Sequence, residues 1–200
     1  MLNLEDYKAM FIVAGLIGVL LCASPALSLV LHLPMGEKFS ELWILGPEHM
    51  AENYTSTIRA GESYLVYVDV ANHMRSSAYY VVYIKFRNQS EPLPNSTLGT
   101  PSSLEPLYEY RAFLRSDETW EAALNFSVFN VSFFENRTHV GILRINDVAF
   151  SVGKSALWDA DLMGCYYQLF IELWIYDSEA NAVQFHNRSV GLWLNMTIPA

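Results

Sequence analysis

The sequence is short of cysteine, of charge and above all of bases. Two of its 200 residues are cysteine, Cys22 and Cys165, and 12 are Lys or Arg against 21 Asp or Glu, a formal charge of -9 at pH 7. Cys22 lies in an apolar run and Cys165 in the distal half, so a bridge between them would need one end in lipid; no disulfide is expected, and burial alone must hold the fold. Net acidity with so few bases repels phosphate backbones, so no nucleic acid partner is expected. Charged residues make up 16% of the chain, whereas 52% are hydrophobic and 14% aromatic, which excludes a disordered or collagen-like polymer. The length suits one domain, or one domain with an anchor.

Catalytic and cofactor motifs are missing too. Gly153-Lys154-Ser155 resembles the end of a phosphate-binding loop, but Val148 stands where that loop needs glycine. Asp159-Ala160-Asp161-Leu162-Met163-Gly164 begins like a calcium loop, yet Met163 offers no oxygen and Phe170 replaces the bidentate glutamate, so a solvated turn is expected. His32, His49, His73, His139 and His186 show no zinc-ligand spacing. Gly61-Glu62-Ser63-Tyr64-Leu65 fails at the last position of a nucleophile elbow. No catalytic residue, metal ligand or cofactor is assigned, and the chain is read as a non-enzyme.

What is present begins with an uncharged run. Ala9 to Leu31 holds 23 residues without a charge, and a helix of that length spans about 34 Å, against roughly 30 Å of bilayer hydrocarbon. The expected division is residues 1–8 as a short cytoplasmic terminus, 9–33 as a transmembrane anchor and 34–200 as an extracytoplasmic domain. A cleaved signal peptide ending near Ser24-Pro25-Ala26 is the competing reading. Glu5 and Asp6 in the n-region, and the apolar residues from Leu27 to Leu31 beyond the cut, oppose it. A pilin-like helix processed near Lys8-Ala9 is a further alternative.

Orientation comes from asparagine. Asn53, Asn88, Asn95, Asn125, Asn130, Asn136, Asn187 and Asn195 each open an Asn-x-Ser/Thr sequon, which takes eight of the twelve asparagines. Ser and Thr number 25 in 200, so chance accounts for about 1.5 of the twelve. The distal part is therefore read as facing outward and N-glycosylated, on the plasma membrane.

That part has the period of strands. Tyr64, Val66, Val68 and Val70 alternate with Leu65, Tyr67 and Asp69; Tyr80, Val82, Ile84 and Phe86 alternate with Tyr79, Tyr83 and Lys85, and Asn72 to Ser77 is expected to join the two as a hairpin. Further inward sets are Trp120 to Val128, Tyr167 to Ile175 and Val190 to Met196. The last strand and the one at Trp120 put the sequon residues Asn195 and Asn125 on their outward faces. Shorter strands are expected at Glu41 to Leu45, Tyr108 to Leu114, Phe129 to Phe134 and Ile142 to Val152, with loops at Arg87 to Glu105 and Glu135 to Gly164. No long amphipathic helix is visible. The expected fold is mainly β, an antiparallel immunoglobulin-like β-sandwich preceded by one transmembrane helix.

Outward Tyr166, Trp174, Tyr176 and Trp193 are the candidate binding surface, for sugar or for a protein, unless they pack beneath the long loops.

The stretch FSELWILGPEHMAENY at Phe39 to Tyr54 resembles the start of the extracytoplasmic domain in the family called domain of unknown function 1616, mainly archaeal membrane proteins. YVDVANH at Tyr67 to His73, YYQLFIELWIYD at Tyr166 to Asp177 and VGLWLNMT at Val190 to Thr197 extend the likeness. The resemblance implies a membrane-attached β-sandwich of the cell envelope and carries over no catalytic residue. It also marks a departure, since the family usually has several transmembrane helices before the domain and this chain has one apolar run. The functional expectation is a binding or structural module that contacts an envelope protein or glycan. The alternative, a subunit of an envelope enzyme acting on glycans or peptides, requires His73, Asp159 and Asp161 to meet in one pocket.

Overall fold

The computed structural model describes residues 7–8, 10–19 and 37–197. The chain divides into two compact units, Met1–Glu37 and Lys38–Ala200. In the first, residues 7–8 and 10–19 are helical. Among the described residues no helix is long and apolar enough to cross a membrane. Residues 9 and 20–36, with Cys22 and the rest of the span expected at 9–33, lie outside the described residues.

The second unit is almost all strand: β1 (Phe39–Leu45), β2 (Thr57–Ile58), β3 (Tyr64–His73), β4 (Ala78–Asn88), β5 (Tyr108–Leu114), β6 (Thr119–Phe134), β7 (Arg137–Ile145), β8 (Val148–Asp159), β9 (Gly164–Asp177) and β10 (Ala182–Met196). All ten join one sheet, which curls so that two halves share a core. One half runs β1-β3-β6-β7-β8 and the other β5-β4-β9-β10-β2. The link is β8, which pairs with β7 through Leu157 and then with β9 through Trp158 and Asp159. The core carries the expected inward sets: Val66, Val68 and Val70 from one half, and Tyr80, Val82, Ile84 and Phe86 from the other. Phe86 stacks on Tyr167 at 5.4 Å. Each such aliphatic or aromatic side chain contributes about 1.5–3 kcal/mol through burial.

Five sequence expectations need correction. β3 and β4 do not form a hairpin: β3 pairs with β1 and β6, β4 with β5 and β9, and residues 74–77 arch over the core from one half to the other. The strands expected at Trp120 to Val128 and Phe129 to Phe134 are one strand, β6. Its inward phase slips at Asn130, which takes a left-handed φ of 51° opposite Gly141 while the register with β7 runs on unbroken, and such a slip reads in sequence as a break. Conversely, Ile142 to Val152 is not one strand, because Asn146 and Asp147, with φ of 44° and 68°, make a two-residue turn between β7 and β8; two positive φ values in a row are what a type I′ hairpin needs. The residues expected as a loop from Glu135 to Gly164 are therefore largely the β7–β8 hairpin. Pairing is also not wholly antiparallel, since the short β2 runs parallel to the end of β10.

Candidate functional site

Residues of the FSELWILGPEHM and YVDVANH stretches meet on the outer face of the β1-β3-β6 half. Trp43 of β1 stands beside Asp69 of β3, and Asp69 beside Glu121 of β6. After β1 the chain turns tightly at Gly46, whose amide donates to the Met50 carbonyl at 2.7 Å. A Cβ there would strike the backbone of Glu52, so only glycine fits. The turn brings His49 back over the face, stacked on Tyr67 at 3.9 Å with its Nδ1 2.9 Å from Glu121 Oε2.

Asp69 is only 3% exposed, and its Oδ2 has no hydrogen-bond partner. Burial first, then the neighbouring Glu121 carboxylate, push its pKa up to about 6, while His49 pulls the other way. The pair is suited to holding a proton between its carboxyls or to accepting a cationic group. A folded pKa above the unfolded value of about 3.9 stabilises the fold in full below that value, and this stabilisation is lost as pH rises through about 6. Asp69→Asn is therefore expected to match the parent at pH 4 and to exceed it at pH 7.5 by up to about 2 kcal/mol. Urea denaturation of the full chain at the two pH values checks this. A variant less stable at both would sink the assignment.

Two rows along the same face, His73 Nδ1 lies 3.2 Å from Asp117 Oδ1 and its Nε2 3.8 Å from Glu41 Oε2, with the Phe39 ring 4.7 Å off. The His73 hydrogen bond, helped by Ser116, holds the Asp117 carboxyl below its usual range. His73 does not meet Asp159 and Asp161. It closes β3 next to the arch into Ala78, whereas Asp159 pairs with Gly164 beyond the Asn88 end of β4; the 11 residues of β4 between those ends span roughly 33 Å or more. The catalytic trio does not form. Asp159 Oδ1 instead accepts the amides of Asp161 and Leu162, both at 3.0 Å, which is a side-chain-stabilised turn. Among the described residues no group of three or more His, Cys, Asp or Glu is placed to hold a metal ion.

The outer face of β4 and β9 is covered by the loop of residues 89–107. There Lys85 Nζ and Glu172 Oε2 form a buried ion pair at 2.9 Å. Ser102 of the loop donates its amide to Glu172 Oε1 at 2.7 Å and accepts from Lys85 at 3.0 Å; Trp174 Nε1 donates to Glu172 Oε2 at 3.1 Å. Arg87 donates to Gln168 Oε1 at 2.8 Å, to the Gln89 and Glu91 carbonyls, and lies over the Trp193 ring at 5.3 Å. Sequence reading missed this pair. Its signal was a Lys and a Glu inside the apolar strands VVYIKFR and FIELWIY.

This cover separates the four candidate surface aromatics. Trp174 is half-buried between Tyr83 at 5.4 Å and Phe185 at 5.9 Å. Trp193 sits under Arg87, and Tyr166 donates to the Leu162 carbonyl. Buried Phe170 and Glu172 lie between the two ends of the row. Tyr176 is exposed, donates to Asn181 Oδ1 at 2.7 Å, and lines a groove of about 550 Å³ with Tyr79, Phe113 and His186.

Among the sequon residues, Asn53, Asn95, Asn125, Asn130, Asn136 and Asn187 are exposed. Asn53, Asn130 and Asn187 also take left-handed φ, which by itself favours asparagine. Asn88 and Asn195 are half-buried. Asn88 Nδ2 donates to the Ser155 carbonyl at 2.9 Å, and Asn195 lies in the space a Cβ on Gly164 would take, its Oδ1 buried and unpaired. Cys165 is a buried free thiol.

A mainly β domain on one curled sheet, with motif residues gathered on an outer face, is the class of protein these features define. The chain belongs to the family described as Domain of unknown function (DUF1616), whose model matches residues 33–132. No match is found among curated proteins. Among solved structures the chain is similar to a CARDB domain from Pyrococcus furiosus, solved in complex with di-metal ions, at 8% identity and TM-score 0.40, covering 80% of this chain and 89% of that one. It is also similar to a chain in the complex of Zinc 2-glycoprotein and Prolactin inducible protein from human seminal plasma, at 10% identity and TM-score 0.39, covering 82% and 99%. A beta-glucosidase from Listeria innocua matches at 8% identity and TM-score 0.35 over 79% of this chain but only 16% of its own.

Proposed function

We propose that the chain is an N-glycosylated binding or structural module of immunoglobulin-like type, displayed outside the plasma membrane on its N-terminal apolar segment, residues 9–33. The observation that carries this is the exposure of six of the eight sequon asparagines on the β unit. The order of one half supports the immunoglobulin-like description, since β5-β4-β9-β10 repeats the C′-C-F-G sheet; the other half, β1-β3-β6-β7, differs from A-B-E-D in that the two strands after β3 lie in chain order. In this reading the domain binds rather than catalyses, and its partner is an envelope protein or glycan that meets the groove at Tyr79, Phe113 and Tyr176.

Glycopeptide mass spectrometry on protein from native membranes tests the reading. Occupancy is expected at Asn53, Asn95, Asn125, Asn130, Asn136 and Asn187 and low at Asn88 and Asn195, with the peptide Met1 to Lys8 retained. Bare sequons throughout would overturn the outward orientation. Occupied sequons without that peptide would point instead to a cleaved leader or a processed filament subunit.

A further inference from the structure

One corner of the β unit presents large apolar side chains to solvent: Phe134 is 74% exposed, Leu157 53%, Trp158 42%, Leu162 62% and Met163 69%. They come from three neighbouring pieces of chain. Phe134 pairs with Arg137, and Arg137 with Leu157, so the three form a row across the ends of β6, β7 and β8. The Trp158 amide donates to the Asn136 carbonyl at 2.7 Å, which ties the β6–β7 turn to the start of the β8–β9 turn. Turn chemistry does not call for these residues. Hairpin tips favour Gly, Asn and Asp, yet here Glu135 and Met163 take the left-handed conformation, with φ of 51° and 54°.

At the centre of the corner stands a sequon. Asn136 occupies the turn two residues after Phe134 and is exposed. No protein group among the described residues engages its side-chain amide, and it borders the same small cavity as Phe133, Trp158 and Cys165. A pyranose ring has an apolar C–H face that packs on aromatic surface, and Phe134 flanks the turn that carries Asn136, paired with Arg137 on its far side. Among the exposed sequons, Asn53 provides a contrast, because its loop holds no such row of apolar side chains.

We propose that the glycan on Asn136 folds back onto this corner, its first sugar packed on Phe134 with Leu157 of the same row alongside, so that the modification completes the surface of the fold. This rests on the glycosylation proposed above and adds a structural role for one site.

The test is a thermal-unfolding cycle on the full chain from membranes, with occupancy at Asn136 scored by glycopeptide mass spectrometry on each sample. Asn136→Gln removes the glycan without touching Thr138, whose hydroxyl is buried against Tyr167. Thr55→Ala removes the Asn53 glycan as a control. Asn136→Gln is expected to lower Tm by about 3 °C and Thr55→Ala to leave it unchanged. Phe134→Ala is expected to lower Tm when Asn136 is occupied and to have no effect, or a small gain, in the Asn136→Gln background. Equal effects of Phe134→Ala in both backgrounds would overturn the packing, and so would a bare Asn136 beside occupied sequons elsewhere. Bare sequons everywhere would remove the glycosylation reading along with it.

Discussion

Exchange of Asn72 for alanine is expected to destabilise the β unit by about 3–5 kcal/mol. Asn72 is the penultimate residue of β3 and is fully buried. Its Nδ2 donates to the carbonyls of Ser76 at 2.8 Å, Leu114 at 3.0 Å and Arg115 at 2.9 Å. Its Oδ1 accepts the Met74 amide at 3.0 Å and the Tyr80 hydroxyl at 3.1 Å. One side chain thus ties the arch over the core to the end of β5 and to the core tyrosine, which continues through Ser40 to His186. Alanine would leave buried carbonyls and an amide without partners, and each orphan costs about 1–3 kcal/mol. Asn72→Asp should be worse than alanine, since it sets a carboxylate against three carbonyl oxygens. Thermal melts of the full chain should show a fall in Tm of roughly 10 °C or more for alanine. A shift of a degree or two, or aspartate tolerated better than alanine, would refute the keystone role.

The second large effect is expected at the Lys85–Glu172 pair. Removing one partner of a buried ion pair leaves the other charge desolvated and alone, at a cost of about 3–5 kcal/mol. Glu172→Gln and Lys85→Met are each expected to fall in that range. The double variant should lose clearly less than the sum, because no charge is then orphaned. It should not regain parental stability, since the Lys85 contact to the Ser102 carbonyl is gone too. The loop of residues 89–107 is held on both sides through Ser102, so either single variant should also release it. Faster chymotryptic cleavage at Leu98 or Leu104 is the readout. Unchanged cleavage with unchanged stability would mean that the pair does not fasten the loop.

Much of the architecture is legible from alternation alone. The inward faces of β3, β4, β9 and β10 follow the period-2 pattern, and β5 has the expected bounds, Tyr108–Leu114. Alternation names a face, however, and not a neighbour. β3 and β4 carry facing hydrophobic sets and a short connection, which in sequence suits a hairpin and in space suits an arch equally well. The choice between them is made by β6 and β9, which supply the pairing edges from far along the chain. The left-handed asparagines mislead for a related reason: Asn130 inside a strand and Asn146 at a turn have the same local chemistry, and only the pairing of β7 tells a strand that runs on from a hairpin.

By itself the sequence determined the strand-rich class, the faces those strands bury, the family and the positions of the sequons, because each depends on residues close together in the chain. The tertiary structure alone decided that Asp69 is buried beside Glu121 under His49, that Lys85 meets Glu172 beneath Ser102, and that Trp174 and Trp193 lie apart rather than forming one surface. Each of these depends on which strand lies beside which and on what a loop covers. Desolvation and charge pairing act through space, and distance along the chain does not measure them.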